Sequence, residues 1–180
     1  SNIESEIQAY YAAQQKAAEE KQDTPADNGG GNDDAQDGGG NDNIQDGGGG
    51  DYTGTGSMRW PLSIAGTDSS GYGYRGGEFH TGIDIAAPKG TPVLAADSGT
   101  VILVKRLTYS YGQYVVIDHG DSISTLYAHM SAIYVSAGQS VSKGQQVGAV
   151  GSTGRSTGNH LHFEVRINGQ HTNPWNYVSR

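Results

Sequence analysis

The sequence contains no cysteine, and none of its apolar runs is long enough to cross a bilayer. The missing cysteine excludes disulfide scaffolds, thiolate metal sites and cysteine nucleophiles. Because no such apolar run exists, no membrane span is predicted, and no signal peptide is visible. Basic residues form no stripe of the kind that binds nucleic acid, so nucleic acid is not predicted as a partner.

Charge divides the 180 residues into two unlike regions. Residues 1–59 hold 12 acidic and 3 basic side chains, a formal charge of −9, whereas residues 60–180 carry +1. The net charge of −8 therefore belongs to the front of the chain. Composition predicts three parts: a helical segment at 1–22, an acidic linker rich in Gly, Asp and Asn at 23–57, and a globular domain at 58–180.

Residues 3–22 are predicted to form a helix. Five positions follow spacings of four and three, as along a coiled-coil seam: Ile3, Ile7, Tyr10, Gln14 and Ala17. Good helix formers fill the other positions, although so short a helix is marginal alone. Two interpretations stay open, the end of a coiled coil that contacts a partner and a polar helix without one.

The linker contains three nine-residue repeats, which begin at positions 28, 37 and 46. They resemble the Ca²⁺-binding nonapeptide of parallel β-rolls, with Asp33, Asp42 and Asp51 at the acidic position. However, the leading glycine is replaced each time, and only Ile44 is a good aliphatic residue. A flexible linker is therefore favoured over a Ca²⁺-binding roll.

From Trp60 onward the sequence predicts an all-β or nearly all-β domain with an antiparallel sheet. Runs rich in Val, Ile, Tyr and Thr are bounded by turn residues. We predict strands at 83–85, 92–95, 100–107, 114–118, 123–129, 146–150 and 160–167. Residues 66–78 are predicted as a loop, and no amphipathic helix separates the strands.

Two short runs carry the metal-binding residue types. His80 and Asp84 flank Gly82, and His160 and His162 are two residues apart, so on a strand their side chains share one face. Imidazole and carboxylate are good zinc ligands. We predict that His80, Asp84 and His162 hold one Zn²⁺ ion, with His160 beside it. The alternative for the second pair is two exposed polar residues on a strand.

Such a site still needs a group that accepts and donates protons. No HExxH motif is present, so the glutamate base of many zinc peptidases is missing. Histidine is a natural substitute because its unperturbed pKa is near neutrality. His160 is the first candidate and His129, from another strand, is the second; the alternative for His129 is a structural hydrogen bond.

The domain resembles the lysostaphin-like zinc metallo-endopeptidases of bacterial cell walls. The matching runs are FHTGIDIAAPKGTPVLAADSGTV from Phe79, LYAHM from Leu126, the segment from Gly138 to Val165 that includes GNHLHFEV, and NPWNY from Asn173. They follow the order of the family and cover residues 60–180. The resemblance implies that His80, Asp84 and His162 bind zinc and that His129 and His160 are catalytic.

The resemblance also implies hydrolysis of peptide bonds in peptidoglycan stems or cross-bridges by a secreted or cell-wall-associated bacterial protein. The alternative is a non-catalytic or latent peptidoglycan-binding regulator, in which residues 3–22 contact a coiled-coil partner or the acidic linker covers the site.

Other polar residues of the domain receive weaker predictions. His119 is interpreted as structural, and His171 as a residue that could border the groove. Glu164 is predicted mainly as an ordinary exposed residue, with a role behind His162 as the alternative. Further candidates for the groove walls are Arg75, Tyr72, Tyr74, Tyr109 and Tyr111.

Overall fold

The computed structural model describes residues 3–22 and 54–180. Helix α1 (Ile3–Gln22) is confirmed, and two acidic residues in its first turn favour its N-terminus through the helix dipole. Residues 23–53 of the predicted linker, with the Ca²⁺-binding alternative predicted for them, lie outside the described residues. In the described ranges, no helix combines the length and apolarity needed to cross a membrane.

The predicted strands are all present, and most deviate at their ends by one residue. In chain order the strands are β1 (Thr67–Ser70), β2 (Gly73–Arg75), β3 (Glu78–His80), β4 (Ile83–Ala86), β5 (Pro92–Leu94), β6 (Gly99–Arg106), β7 (Gln113–Asp118), β8 (Ile123–Ala128), β9 (Ala132–Ile133), β10 (Ser140–Val141), β11 (Gln146–Ala149), β12 (His160–Ile167) and β13 (Gln170–Thr172). A short 3₁₀ helix (Pro174–Asn176) follows.

The prediction of a loop at 66–78 is wrong, because this segment contributes three strands. Strand β1 pairs with β4, and β2 and β3 form a hairpin of their own. The segment is rich in Gly and Ser and lacks the alternating apolar residues from which a strand is predicted. Its strands are held by backbone hydrogen bonds, which the side-chain pattern does not reveal.

The main sheet is antiparallel and has the order β1-β4-β12-β8-β7-β6-β10, with β13 paired to β12. A second sheet, β5-β11-β9, supplies the other wall of the main core. Strand β12 lies inside the main sheet, between β4 and β8. Its residues Leu161, Phe163 and Val165 point into the main core, which leaves the alternate residues on the opposite face.

Helix α1 packs on that opposite face of the sheet. Ile3 and Ile7 are buried against a cluster that includes Leu126 and Ala128 of β8. Those two residues are the register partners of Glu164 and His162, and partners directly opposite in a sheet share a face. The first part of the seam predicted for a coiled coil, Ile3 and Ile7, therefore packs on this chain's own sheet, on the same face as the metal-binding residues.

Polar contacts hold α1 in place around its buried stripe. The Tyr11 hydroxyl donates to Asp118 at 2.8 Å, and Lys105 Nζ lies 2.9 Å from a carboxylate oxygen of Glu6. A partly buried hydrogen bond adds geometric definition to the apolar contact, whereas the more exposed ion pair contributes little.

The chain enters the β-domain at residues 54–57, the last part of the predicted linker. The Thr55 hydroxyl and the Gly56 amide donate to the carboxylate of Asp97, and the Gly54 amide donates to the carbonyl of His119. These contacts attach the segment to the domain at Asp97 and His119.

Candidate metal centre

Strand register brings two of the predicted ligands together. Strands β4 and β12 pair antiparallel, with Asp84 directly opposite His162. Directly opposed side chains lie on one face with their Cβ atoms about 5 Å apart, so a carboxylate and an imidazole there are in contact. His80, at the end of β3, reaches the same point from the preceding hairpin.

Gly82 allows the tight path between His80 and Asp84. A Cβ atom at this position would lie 2.3 Å from the carbonyl oxygen of Phe163 and 3.0 Å from the His162 ring. Real Cβ atoms do not approach backbone oxygens so closely. Only glycine therefore lets this turn pass against β12.

The three predicted ligands converge on one point. Asp84 Oδ1 lies 2.7 Å from His162 Nδ1 and 3.1 Å from His80 Nε2, and the two nitrogens are 3.1 Å apart. All three residues are buried. Donor atoms of a tetrahedral zinc site with bonds of about 2.0–2.1 Å lie about 3.3 Å apart, so the donor set matches zinc in chemistry and in size.

Both histidines are oriented by their second nitrogen. The Gly71 carbonyl accepts from His80 Nδ1 at 2.7 Å, and Glu164 Oε1 accepts from His162 Nε2 at 2.9 Å. With those nitrogens protonated, the lone pairs of His80 Nε2 and His162 Nδ1 point toward Asp84. Metal-binding histidines are usually fixed in this way.

The charges of the site favour an ionised carboxylate at its centre. Burial alone would raise the pKa of Asp84, but hydrogen bonds with His162 and His80 outweigh it and hold this pKa well below its usual range. Burial alone would lower the pKa of His162, but Asp84 and Glu164 raise it to about 9. The negative charges of this pocket therefore favour a bound cation, which can be a proton or a metal ion.

The prediction that Glu164 is mainly an exposed residue is wrong, because its side chain is 0% exposed. Its Oε1 accepts hydrogen bonds from His162, Thr81 and Tyr111, and its Oε2 lies 2.6 Å from Arg166 Nε. Burial alone would raise its pKa, but the hydrogen bond from His162 and the charges of His162 and Arg166 lower it to about 2.

One signal in the sequence could have identified Glu164. The alternation of β12 places His160, His162, Glu164 and Arg166 on one face, and a Glu and an Arg two residues apart there can neutralise each other. The helix that buries this face lies more than 140 residues earlier in the chain, so strand alternation alone did not reveal the burial.

The two predicted catalytic histidines lie next to the metal ligands. The rings of His129 and His160 have centroids 4.7 Å apart, and His160 Nε2 lies 3.8 Å from Asp84 Oδ1. The Thr153 carbonyl accepts from His129 Nδ1 at 2.7 Å, and the Gly158 carbonyl accepts from His160 Nδ1 at 2.9 Å. In both rings Nε2 therefore carries the free lone pair.

His129 is held in an unusual state. Its φ of 59° lies in the left-handed region, which costs a non-glycine residue energy and is common at functional sites. Burial lowers the pKa of its imidazole to about 4, and the neighbouring His160 and His162 add to the effect. At neutral pH the ring is therefore uncharged, and its Nε2 can accept a hydrogen bond.

A cleft of about 760 Å³ opens over these groups. The five predicted histidine and aspartate residues all line it, together with Arg75 and Tyr111 from the candidates for the groove walls. Tyr72, Tyr74 and Tyr109 do not line it. Its volume is within the range of ordinary ligand sites.

The other two histidines contact different parts of the fold. His119 is buried; the Ser98 carbonyl accepts from its Nδ1, and its Nε2 lies 2.7 Å from the Thr125 hydroxyl. His171 bonds to the Tyr72 hydroxyl and stacks on Phe79, a residue of the cleft wall. His171 thus lies behind the wall rather than in the cleft.

Residues 78–174 match Peptidase family M23, and this range includes every residue of the metal centre and both catalytic candidates. The chain belongs to this family. M23 peptidases are zinc-dependent, in agreement with the donor set described above, so the predicted family, all-β fold and zinc cofactor are confirmed.

Two curated relatives of this M23 chain are named as endopeptidases. The chain is 52% identical over 112 residues to the DD-carboxypeptidase/endopeptidase Mpg of Neisseria meningitidis, and the match covers 59% of this chain and 26% of Mpg. It is 47% identical over 94 residues to the peptidoglycan DD-endopeptidase ShyA of Vibrio cholerae, and this match covers 52% of this chain and 22% of ShyA. The chain thus spans about a quarter of the length of these relatives.

Solved M23 structures share the fold. A mutant catalytic domain of the prophage-encoded M23 protein EnpA from Enterococcus faecalis matches with a TM-score of 0.59 and 45% identity, covering 62% of this chain and 90% of that one. Lysostaphin from Staphylococcus simulans matches with a TM-score of 0.58 and 32% identity, covering 62% and 48%. A zinc-containing peptidase from Vibrio cholerae matches with a TM-score of 0.60 and 36% identity, covering 65% and 39%.

Proposed function

We propose that this M23 chain is a zinc-dependent endopeptidase that hydrolyses peptide bonds of bacterial peptidoglycan. The observation that carries the proposal is the convergence of His80 Nε2, Asp84 Oδ1 and His162 Nδ1 at mutual distances of 2.7–3.1 Å at the base of an open cleft. Three protein ligands leave a tetrahedral metal with one further position, which is typical of catalytic rather than structural zinc.

His80, Asp84 and His162 would hold the ion. When bound, zinc supplies a Lewis acid that polarises the scissile carbonyl and makes water acidic enough to react at neutral pH. His160 Nε2, with Nδ1 tied to the Gly158 carbonyl, accepts the proton of the attacking water. The neutral His129 ring, whose Nε2 also carries a free lone pair, shares this proton transfer and orients the reacting groups.

Glu164 acts as a positioning residue for His162. Its carboxylate accepts the His162 Nε2 proton, and this hydrogen bond selects the tautomer that offers Nδ1 to the metal. Arg166 neutralises the Glu164 charge from the other side, at 2.6 Å. This arrangement supports a site that is ordered before the substrate arrives.

The substrate is proposed from two sources. The resemblance to lysostaphin-like cell-wall peptidases indicates peptidoglycan, and two relatives are named DD-carboxypeptidase/endopeptidase and peptidoglycan DD-endopeptidase. We therefore assign the bond class as a D,D-peptide bond. Action on peptidoglycan places the chain outside the cytoplasm, as a secreted or cell-wall-associated protein.

The alternative of a non-catalytic regulator receives less support, because all three ligands and both proton-transfer candidates are present together in an open cleft. The coiled-coil partner of residues 3–22 stays a prediction, and the buried contacts of Ile3 and Ile7 leave the exposed side of α1 as its binding face. Latency through the acidic linker concerns residues that the structure does not describe.

The test is hydrolysis of purified, cross-linked peptidoglycan with mass spectrometry of the products. A chelator should abolish the reaction, and added zinc should restore it. His162→Ala should lose both the metal and the activity, whereas His119→Ala, away from the cleft, serves as the matched histidine control. Full zinc content and full activity in His162→Ala would overturn the ligand assignment.

A further inference from the structure

Two arginines line the cleft, Arg75 and Arg155, and they differ in how their charges are balanced. Arg155 lies 3.3 Å from a carboxylate oxygen of Glu78, and both side chains are largely exposed, at 79% and 69%. Arg75 has a different neighbour, since its Nη1 lies 3.5 Å from Asp84 Oδ2. The two residues are therefore not equivalent as anion receptors.

A tight hairpin places Arg75 at the edge of the cleft. Strands β2 and β3 pair with Arg75 opposite Glu78 across the turn Gly76-Gly77, whose φ values are 55° and 93°. Two residues with positive φ form the turn that suits a two-residue hairpin, and glycine adopts it without strain. The short turn fixes the Arg75 backbone relative to His80, which ends the same hairpin.

The Arg75 side chain presents an edge suited to a carboxylate. Its Nη1 donates to the Ser70 hydroxyl and lies near Asp84, while the side chain as a whole is 51% exposed. Within residues 3–22 and 54–180, Nε and Nη2 make no hydrogen bond. Those two groups form the side of the guanidinium that binds a carboxylate with two parallel hydrogen bonds.

Asp84 does not neutralise Arg75 when the site holds zinc. Its Oδ1 faces the two histidines, and its single negative charge is then shared between a divalent ion and the guanidinium. Arg75 thus keeps a positive charge beside the metal site, whereas the charge of Arg155 is paired with Glu78. A peptide with a carboxylate close to its scissile bond complements this distribution.

We propose that Arg75 binds a free carboxylate on the residue at the amine side of the scissile bond. Because Arg75 Nη1 is 3.5 Å from the carboxylate of a metal ligand, a group bound to Arg75 lies beside the metal-binding residues and near the carbonyl that the metal polarises. The inference rests on the proposed function and specifies the substrate. It selects peptides whose amine-side residue keeps its α-carboxylate, as in D,D-cross-links and terminal D,D-dipeptides, over polyglycine bridges.

The test uses two cross-linked peptides that differ only at this carboxylate, which is free in one and a carboxamide in the other. The zinc-loaded full chain should show kcat/KM about tenfold to a hundredfold higher for the carboxylate, the range expected for a charge-assisted pair. Arg75→Gln should bring this ratio close to one, and Arg75→Lys should give an intermediate ratio because lysine lacks the planar fork. Arg155→Gln removes the same charge from a cleft-lining residue that Glu78 already compensates, and it should keep the ratio.

Zinc content is measured for every variant, because Arg75 contacts Asp84. A ratio that survives in Arg75→Gln, or that falls equally in Arg155→Gln, overturns the inference. Calorimetry of the amine-side product, in its carboxylate and carboxamide forms, tests the carboxylate subsite independently of catalysis. This measurement separates the inference from the proposed function. If the wild type cleaves neither peptide but binds the carboxylate in an Arg75-dependent way, the proposed function fails and the carboxylate subsite stands.

Discussion

His162 Nε2 lies 2.9 Å from Glu164 Oε1, two residues further along the same strand. Strand geometry alone sets this contact, because residues i and i+2 point to one face. The histidine that binds the metal and the carboxylate that orients it are therefore parts of one rigid element. No loop has to move for the His162 ring to adopt the orientation that binds the metal.

The first prediction concerns this pair. Glu164→Leu should weaken zinc binding by about tenfold to a hundredfold, because His162 loses the acceptor that fixes its tautomer. It should also destabilise the fold by about 3–5 kcal/mol, because Arg166 is left buried without its partner. Competition with a chromophoric chelator measures the affinity, and urea unfolding measures the stability.

A double variant separates the two effects. Glu164→Leu with Arg166→Met replaces the buried ion pair by apolar groups, which often restores stability. Zinc affinity should stay low, since His162 Nε2 still has no acceptor. Normal zinc affinity in the double variant would contradict the positioning role and leave Glu164 a purely structural residue.

The second prediction concerns the proton-transfer residues. His129→Ala and His160→Ala should each retain stoichiometric zinc, because neither ring belongs to the donor set. Each should lower kcat by about 10²–10⁴, the usual contribution of a general acid or base. Metal analysis by mass spectrometry accompanies the kinetics. Wild-type kcat in either variant would remove that histidine from the mechanism.

Much of this site could be predicted from the sequence, for a physical reason. His80, Asp84, His160 and His162 lie in two short runs, and metal chemistry restricts which residue types can act as ligands. Arg75 and Glu164 were harder, because nothing in their immediate sequence reports a cross-strand pair or a helix packed above them. Their roles depend on contacts between residues distant in the chain.

The third prediction concerns helix α1. Ile7→Ala should loosen the helix from the sheet, at a cost of about 2–4 kcal/mol for removing a fully buried side chain. Hydrogen exchange of α1 amides should accelerate, and limited proteolysis should remove the segment faster. The exposed Ala12→Ser is the matched control on the same helix. Equal protection in both variants would show that α1 does not depend on this contact.

The sequence pattern of α1 predicted a helix with an apolar stripe, but it did not reveal the sheet surface that the stripe contacts. A stripe of Ile3 and Ile7 is compatible with a partner helix and with a sheet, because both bury an apolar face. The sheet face offered by Leu126 and Ala128 becomes visible only when β8 and β12 are paired.

The fourth prediction concerns pH and uses a histidine remote from the metal. Burial lowers the pKa of His119 below the usual 6.5, so the unfolded chain binds more protons than the folded chain as pH falls below that value. The unfolding free energy should therefore decrease toward acid, by at most about 1.4 kcal/mol per pH unit for this group.

His119→Gln removes the titration and should flatten this part of the profile. Loss of its hydrogen bonds to Ser98 and Thr125 adds an offset that does not depend on pH, so the slope rather than the absolute stability is compared. Urea unfolding with chelator in every sample keeps metal release out of the measurement. Identical slopes for wild type and variant would contradict the lowered pKa.

The direct opposition of Asp84 and His162 across β4 and β12 has a consequence for engineering. Strand register sets two of the three ligands, whereas Arg75 and the third ligand, His80, belong to the hairpin that turns at Gly76-Gly77. The turn itself contains no ligand, so its tip can be varied while His80 is kept. Exchanging the tip of the β2–β3 hairpin should change which cross-link is accepted and leave zinc binding intact, so libraries that seek new cell-wall targets should randomise the tip and spare the sheet.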